Sequence, residues 1–255
     1  MYDKIHSVDF AVPEGTRVYA IGDVHGHLLA LERMHEAISA DLIKTQYAGQ
    51  VHMVYMGDYI DRGPDSRGVL SELVARLGRK DGIQRTFLQG NHEAMMQEFL
   101  RAPGGISGGD WLQHGGVEAM KSYGLEFDSD LPIPSEYAVA AKTLARIMPE
   151  SHRSFLSSLA GAIEIGEYFF AHAGVDPKKK LAAQEFHDLA FIREPFLSWN
   201  KPLEKMVVHG HSIVPEPEIL PHRIGIDTGV YQPGGKLSAG VFEGNTVRFL
   251  KADPR

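Results

Sequence analysis

Cysteine is absent from the 255-residue sequence. Its absence excludes disulfide bonds and metal sites that use thiolate ligands. A metal ion bound by this chain must therefore be held by nitrogen and oxygen atoms of His, Asp, Asn or Glu side chains.

The sequence also lacks a long hydrophobic run. No apolar stretch approaches the ~20 residues that a membrane-spanning helix needs. Residues 1–10 do not combine a basic start with an apolar segment, as a secretory signal peptide does. We therefore expect a cytoplasmic protein that does not associate with membranes.

A surplus of positive charge is missing as well. The 26 Lys and Arg residues are outnumbered by 33 Asp and Glu residues, which gives a formal net charge of −7. Nucleic acids and anionic membranes attract basic surfaces, so neither is an expected partner. With 43% hydrophobic residues, the composition is that of an ordinary globular protein, and the chain is long enough to bury one core. We expect a single domain over residues 1–255.

Five short hydrophobic runs each stop at residues whose side chains can bind metals or phosphate. The runs cover residues 18–21, 54–56, 86–89, 168–171 and 206–208. The first three end at a glycine, which favours a buried strand followed by a tight loop. Because ligands in open α/β sheets bind beyond the carboxyl ends of strands, we expect the five strand ends to converge on one site.

Three motifs follow the first three runs: GDVHG at residues 22–26, GDYIDRG at 57–63 and GNHE at 90–93. In this order they resemble the signature of the phosphoprotein phosphatase family of calcineurin-like metallophosphoesterases, and most closely its bacterial and bacteriophage lambda-type serine/threonine protein phosphatases. The resemblance extends over about residues 17–250, with further matches at GNHEAMM, DWLQHGG, HAGV, IRE, HGHS and IDTGVY. One motif alone would be weak evidence, but the ordered set is specific.

The resemblance implies an α/β fold of the calcineurin-like type, in which two mixed β-sheets pack as a sandwich flanked by helices in four layers, αββα. Hydrophobic periodicity predicts helices over about 27–38, 65–79 and 93–99. Residues 102–109 contain four glycines and a proline, which predicts a mobile loop, either a connector or a flap over the site. A helical insertion is predicted at about 110–160. Short strands with hairpin turns follow, and they favour a largely antiparallel C-terminal half.

The chain offers nitrogen and oxygen ligands sufficient for two divalent cations. Imidazole mixed with carboxylate suits Mn, Fe, Zn or Co better than Ca, which prefers oxygen alone, and Mn is the ion that we expect. The resemblance implies that Asp58 bridges the two ions. The other implied ligands are Asp23 and His25 for the first ion, and Asn91, His172 and His211 for the second.

Two histidines, His209 and His211, compete for one ligand position because both follow the run at 206–208. The Gly-His pair of the family motif matches Gly210 and His211, which assigns the ligand role to His211. His209 either orients a ligand or a water through its ring nitrogen, or is simply packed in the core.

The resemblance assigns four further residues to catalysis. Arg62 and Arg193 are the expected phosphate clamps, because a guanidinium group matches two phosphate oxygens and stays charged. His92 is the expected general acid, and Asp61 orients its imidazole. The segment around Arg193 departs from the family at Phe191, where many relatives have tryptophan at or near this position.

The reaction implied is hydrolysis of phosphomonoesters by direct in-line attack of water, with phosphoserine and phosphothreonine proteins or peptides as substrates. One alternative is a symmetrical dinucleoside polyphosphate hydrolase, such as a diadenosine tetraphosphate hydrolase. The retention of His25, Asp61 and Glu93 favours the phosphatase. A binding module without turnover is a second alternative, which the intact His92 and Arg62 disfavour. The sequence indicates neither the physiological substrate nor the oligomeric state.

Overall fold

Residues 4–104, 106–126 and 135–255 are described by a computed structural model of the chain. Gly105 of the predicted glycine-rich loop and residues 127–134 of the predicted insertion lie outside these ranges. Within them, no helix is both long enough and apolar enough to cross a membrane. In chain order the elements are β1 (His6–Ser7), β2 (Thr16–Ile21), α1 (Leu28–Lys44), β3 (Gln50–Tyr55), α2 (Ser66–Leu77), β4 (Gln84–Phe87), α3 (Asn91–Arg101), α4 (Ile106–Trp111), α5 (Val117–Ser122), α6 (Tyr137–Ile147), α7 (Glu150–Ser157), β5 (Ala162–Ile165), β6 (Tyr168–Ala171), α8 (Phe186–Phe191), β7 (Met206–His209), β8 (Glu218–Ile219), β9 (Arg223–Gly225), β10 (Leu237–Glu243) and β11 (Thr246–Ala252).

The strands form two mixed sheets. The first has the order β1-β11-β10-β2-β3-β4, in which β2, β3 and β4 are parallel and β10 is antiparallel to β2. The second has the order β5-β6-β7-β9-β8, in which β6, β7 and β9 are parallel. The prediction of two mixed sheets is confirmed. The prediction of a largely antiparallel C-terminal half is wrong for β6, β7 and β9, which are parallel. Hairpin turns leave a local signal in the sequence, whereas parallel pairs join strands that are far apart along the chain.

An apolar layer joins the two sheets face to face. Alternate residues of a strand point to opposite faces, so Val18 and Ala20 of β2 lie in this layer together with Phe170 and Val208 of the second sheet. Phe242 of β10 packs edge-on against Phe170, with 5.7 Å between the ring centroids. This packing fixes the two sheets relative to each other.

Helices cover the outer face of each sheet. Tyr19 and Ile21 of β2 lie in one hydrophobic cluster with the apolar sides of α1, α2 and α3. On the other side of the sandwich, Phe169 and Val207 of the second sheet cluster with Leu189 of α8. The four-layer αββα arrangement expected from the sequence is therefore confirmed.

The helical insertion packs on the helices of the first sheet: α4 and α6 contact α3, and α5 and α7 contact α2. The prediction of a loop through residue 109 is wrong at its C-terminal end, because α4 begins at Ile106. Gly109 has a poor helix propensity, but Trp111 of the same helix is fully buried against Phe99, with 4.9 Å between the ring centroids. Tertiary packing outweighs local propensity here.

Candidate metal centre

The carboxyl ends of parallel strands from both sheets meet at one edge of the sandwich. Residues that can bind metals stand within four positions after these strands: Asp23 and His25 after β2, Asp58 after β3, Asn91 after β4, His172 after β6 and His211 after β7. Two groups of possible metal-binding side chains result, each with its ligand atoms within 4.8 Å of one another: His25, Asp58 and His92 in one, and Asp58, His172 and His211 in the other. The predicted convergence of strand ends is therefore observed for His25, Asp58, His172 and His211. His92, the expected general acid, joins the first group, whereas Asp23 is in neither.

Asp58 is the residue that the two groups share. Its Oδ1 lies 3.4 Å from Nε2 of His172, and its Oδ2 lies 3.6 Å from Nε2 of His25 and 3.8 Å from Nε2 of His92. Burial alone would raise the pKa of Asp58, but the neighbouring His172 and His92 outweigh it and hold that pKa well below its usual range. The carboxylate is thus ionised, with one oxygen directed toward each group, as a residue that bridges two cations requires.

Glu93 fixes the loop that presents Asp58. Its Oε2 accepts hydrogen bonds from the backbone N–H groups of Asp58, at 2.9 Å, and Gly90, at 3.0 Å, while Oε1 accepts from that of Tyr59 at 2.8 Å. Glu93 is fully buried, and burial followed by the charge of Asp58 raises its pKa to about 7. This carboxyl group therefore ties the loop after β3 to the first turn of α3.

Left-handed backbone is concentrated at the site. Five non-glycine residues of the site have positive φ: His25 (+42°), Asp58 (+49°), Asp61 (+75°), Arg62 (+66°) and His211 (+61°). Gln46 is the one other non-glycine residue with positive φ in the described ranges. Such conformations are costly and persist where surrounding contacts impose them, which is common at functional sites.

Asp23 has a buried oxygen atom without a hydrogen-bond partner among the described residues. Its Oδ2 accepts a hydrogen bond from the backbone N–H of His211 at 2.9 Å, whereas its Oδ1 is buried without a hydrogen-bond partner among the described residues. Burial, together with the nearby Asp227, raises the pKa of Asp23 well above its usual range. A cation beside Oδ1 would remove this cost, since a buried carboxylate needs a compensating charge. A Cβ at Gly210 would lie 2.0 Å from Oδ1, so a larger residue at this position would displace the Asp23 carboxyl group.

The ligand histidines are oriented by backbone carbonyl groups. Nδ1 of His172 lies 2.8 Å from the carbonyl oxygen of Met56, and Nδ1 of His25 lies 3.0 Å from that of Ile60. Because a carbonyl group can only accept, Nδ1 of each ring carries a proton and Nε2 faces the centre. Nε2 of His172 also lies 3.1 Å from Oδ1 of Asn91. These orientations suit ligation through Nε2.

The protonation states of the histidines in the centre also fit a cation site. Burial lowers the pKa of His25 well below its usual value and that of His211 to about 3, so both rings are neutral and able to bind a metal. Burial also acts against charge on His172, but Asp58 outweighs it and raises the pKa of His172 to about 10. A metal ion would take the place of that proton. The donor set of imidazole, carboxylate and amide groups thus fits two borderline divalent cations.

His209 faces away from the centre. Its Nδ1 lies 2.9 Å from the carbonyl oxygen of Gly210, and its Nε2 lies 3.1 Å from Nη1 of Arg223. Its ring packs edge-on against Phe196, with 5.1 Å between the centroids. Both ring nitrogens are therefore engaged, and of the two alternatives the geometry favours His211 as the ligand.

His92 and Asp61 form a close pair beside the centre. Nδ1 of His92 donates to Oδ2 of Asp61 at 2.6 Å, and both side chains are buried. Burial favours a neutral imidazole, but Asp58 and Asp61 outweigh it and raise the pKa of His92. With Nδ1 occupied, Nε2 is the atom of His92 that can exchange a proton with a bound molecule.

Arg62 and Arg193 line one cavity of about 570 Å³ together with His92 and Asp58. Nη2 of Arg62 lies 3.2 Å from Nε2 of His92, and its guanidinium group stacks 4.3 Å from the ring centroid of Tyr231. Arg193 follows α8, and its Nη1 donates to Oγ of Ser212 at 3.1 Å. Both predicted phosphate clamps therefore face the same space as four of the predicted metal ligands, His25, Asp58, Asn91 and His211.

Three residues at the site were missed by the sequence analysis. Asp227 follows β9, lines the cavity and has a pKa raised to about 6, chiefly by burial. Tyr231 packs edge-on against His25, with 5.0 Å between the ring centroids. Trp111 donates from Nε1 to Oδ2 of Asp61 at 2.8 Å. The sequence contains a signal for Asp227, because this residue follows a strand end, as the predicted metal ligands do.

Comparison with known proteins identifies the family. Residues 16–239 match the family model described as calcineurin-like phosphoesterase. The chain belongs to this family. Among calcineurin-like phosphoesterases, it is 27% identical over 241 residues to the asymmetrical bis(5'-nucleosyl)-tetraphosphatase PrpE of Oceanobacillus iheyensis, covering 88% of this chain and 87% of that protein.

Two further relatives differ from PrpE in the substrate that their names give. Serine/threonine-protein phosphatase 2 of Escherichia coli K12 is 34% identical over 116 residues, which cover 44% of each chain. A crystal structure of a cold-active protein tyrosine phosphatase superposes with a TM-score of 0.58 at 19% identity, covering 96% of this chain and 80% of that one. The last likeness concerns the fold alone. The family is therefore established, whereas the relatives are named for different substrates.

Substitution of the two competing histidines tests the assignment of ligands. We expect His211→Ala to reduce the manganese content from two ions per chain to one, because it removes a nitrogen that faces Asp58. The matched variant His209→Ala should retain two ions, because its ring nitrogens are engaged with Gly210 and Arg223. Metal content is measured by elemental analysis after gel filtration, with circular dichroism as a check of folding. A loss of metal in His209→Ala but not in His211→Ala would reverse the assignment.

Proposed function

We propose that this calcineurin-like phosphoesterase is a metal-dependent serine/threonine protein phosphatase that hydrolyses phosphomonoesters by direct attack of water on phosphorus. The observation that supports this most strongly is the pair of His92 and Asp61, 2.6 Å apart, with Nε2 of His92 beside Arg62 and Asp58. In this geometry Nε2, the nitrogen that would carry the proton to a departing oxygen, lies next to groups that can bind a phosphoryl group.

The cofactor that we propose is a pair of divalent cations, preferentially manganese, bridged by Asp58. The remaining ligands would be Asp23, His25, Asn91, His172 and His211. When bound, the cations would lower the pKa of a water molecule and neutralise charge on the phosphoryl group. The buried, unpartnered Oδ1 of Asp23 supports this assignment, since it needs a positive charge nearby.

Arg62 and Arg193 would orient the phosphoryl group. They approach the cavity from different segments, Arg62 from the loop after β3 and Arg193 from the segment after α8, so their guanidinium groups can bind different phosphoryl oxygens. Arg62 is held in place by stacking on Tyr231, at 4.3 Å, and by the hydrogen bond from its backbone N–H to the carbonyl oxygen of Gly115, at 3.3 Å. Pre-organised donors of this kind stabilise charge that develops in the transition state.

His92 would donate a proton from Nε2 to the ester oxygen as its bond to phosphorus breaks. Asp61 accepts from Nδ1 and stabilises the charged imidazole. A serine or threonine alkoxide is a poor leaving group, so a general acid contributes most with these substrates.

Phosphorylated proteins or peptides are therefore the partners that we propose, rather than nucleic acids or membranes. The apolar side chains of Met95, Phe191 and Ile213 line the cavity beside the polar groups, and they offer contacts for residues that flank a phosphoserine. The 34% identity with a serine/threonine phosphatase of Escherichia coli over 116 residues is consistent with this substrate class.

A dinucleoside tetraphosphate hydrolase is the second candidate, because the similarity to PrpE extends over 88% of this chain. That relative is named as asymmetrical, whereas the alternative expected from the sequence is symmetrical cleavage. Phe191 and Tyr231 at the cavity could stack on a nucleoside base. A phosphate leaving group needs little help from an acid, so the close pair of His92 and Asp61 favours the phosphomonoester.

Comparison of substrates tests the proposed function directly. We expect the manganese-loaded protein to hydrolyse a phosphoserine peptide with a higher kcat/KM than diadenosine tetraphosphate. Free phosphate and nucleotide products are measured separately, so that the position of any cleavage in the nucleotide is known. A higher kcat/KM for the dinucleotide would favour the second candidate, and turnover of neither compound would contradict both.

Replacement of His92 tests its role as the acid. We expect His92→Asn to lower kcat on a phosphoserine peptide by roughly 10²–10⁴-fold, and to lower kcat on para-nitrophenyl phosphate much less, because nitrophenolate departs without a proton. Arg62→Ala should impair both substrates alike, since it loosens the phosphoryl group itself. An equal loss on both substrates for His92→Asn, with unchanged metal content, would contradict the assignment.

A further inference from the structure

Trp111 links the helical insertion to the pair of His92 and Asp61. Its indole Nε1 donates to Oδ2 of Asp61 at 2.8 Å, and this same oxygen accepts from Nδ1 of His92 at 2.6 Å. Trp111 is fully buried in the cluster that contains Phe99, so its position is fixed by packing. A buried indole N–H that donates to a carboxylate is a charge-assisted contact, which is stronger than one between neutral groups.

The same segment of the insertion also contacts Arg62. The backbone N–H of Arg62 donates to the carbonyl oxygen of Gly115 at 3.3 Å, and its Nε donates to that of His114 at 3.4 Å. Gly115 has φ +106°, and a Cβ at this position would lie 2.6 Å from the backbone nitrogen of Arg62. Residues 111–115 therefore contact both Asp61 and Arg62. These two residues are neighbours in the loop after β3, and both have the strained backbone of positive φ.

We propose that Trp111 is a positioning residue for proton donation: its indole N–H holds the Asp61 carboxylate in the orientation that directs Nε2 of His92 into the cavity. This inference rests on the proposed role of His92 as the general acid. Without the indole N–H, the carboxylate can rotate about its Cβ–Cγ bond, and the imidazole that follows it loses its alignment with a departing oxygen. Misalignment of an acid slows those reactions that need its proton.

The substitution Trp111→Phe removes the indole N–H but keeps an aromatic ring in the cluster. Replacement of Trp111 by 3-benzothienylalanine, in which sulfur takes the place of the N–H, preserves the shape more closely. We expect both changes to lower kcat on a phosphoserine peptide by roughly 10-fold, the size expected for one hydrogen bond to a charged group. The loss on para-nitrophenyl phosphate should be clearly smaller, with KM and metal content unchanged.

The matched control is Tyr123→Phe. Tyr123 is a buried aromatic residue just after α5, and its hydroxyl group bonds to Nδ1 of His152 at 2.7 Å without contact to Asp61. Its replacement should change turnover of the two substrates in equal proportion, if at all. An equal loss on both substrates in the Trp111 variants would show that the indole only supports the fold, and unchanged kcat on the phosphopeptide would also overturn the proposal.

Nuclear magnetic resonance of the zinc-loaded protein separates this inference from the proposed function. We expect the Nδ1 proton of His92 to be protected from exchange with solvent in the native protein, and to exchange at least several-fold faster in both Trp111 variants. Unchanged protection would overturn the positioning role. If the native protein hydrolyses no phosphomonoester, the proposed function fails, whereas the exchange rates still decide whether Trp111 orients the pair.

Discussion

The arrangement of the site depends on one buried carboxylate, that of Asp58. An ionised group in the interior is stable only beside compensating charges or donors, and its two oxygens face histidines on opposite sides. The backbone of Asp58 has a positive φ of +49° and is fixed by Glu93. The groups that compensate the charge of Asp58 therefore come from both sheets.

The topology explains how this convergence arises. Three parallel strands in each sheet end at the same edge, and the apolar layer around Phe242 holds the sheets face to face. The first sheet contributes Asp58 and its loop, while the second contributes His172 and His211. Helices outside the first sheet then add Trp111, which contacts the loop from the far side. The centre is thus built between layers, where neither sheet alone would complete it.

The sequence predicted the parts of the site that have a local signal. Asp23, Asp58 and His172 each follow a short apolar run, so their proximity could be inferred from strand ends alone. The contact of Trp111 with Asp61 joins residues that are 50 positions apart, on different elements, and no periodicity indicates it. The start of α4 at Ile106 was not predicted, because a glycine-rich sequence indicates a loop. Burial of Trp111 at the end of this segment stabilises the helix instead.

Anomalous diffraction from crystals of the manganese-loaded protein would locate the bound ions relative to Asp58. We expect two manganese peaks per chain, one beside each of the two groups of side chains that share Asp58. His25 and Asp23 should lie beside one peak, and Asn91, His172 and His211 beside the other. A single peak, or two peaks that do not share Asp58, would contradict a centre bridged by this residue.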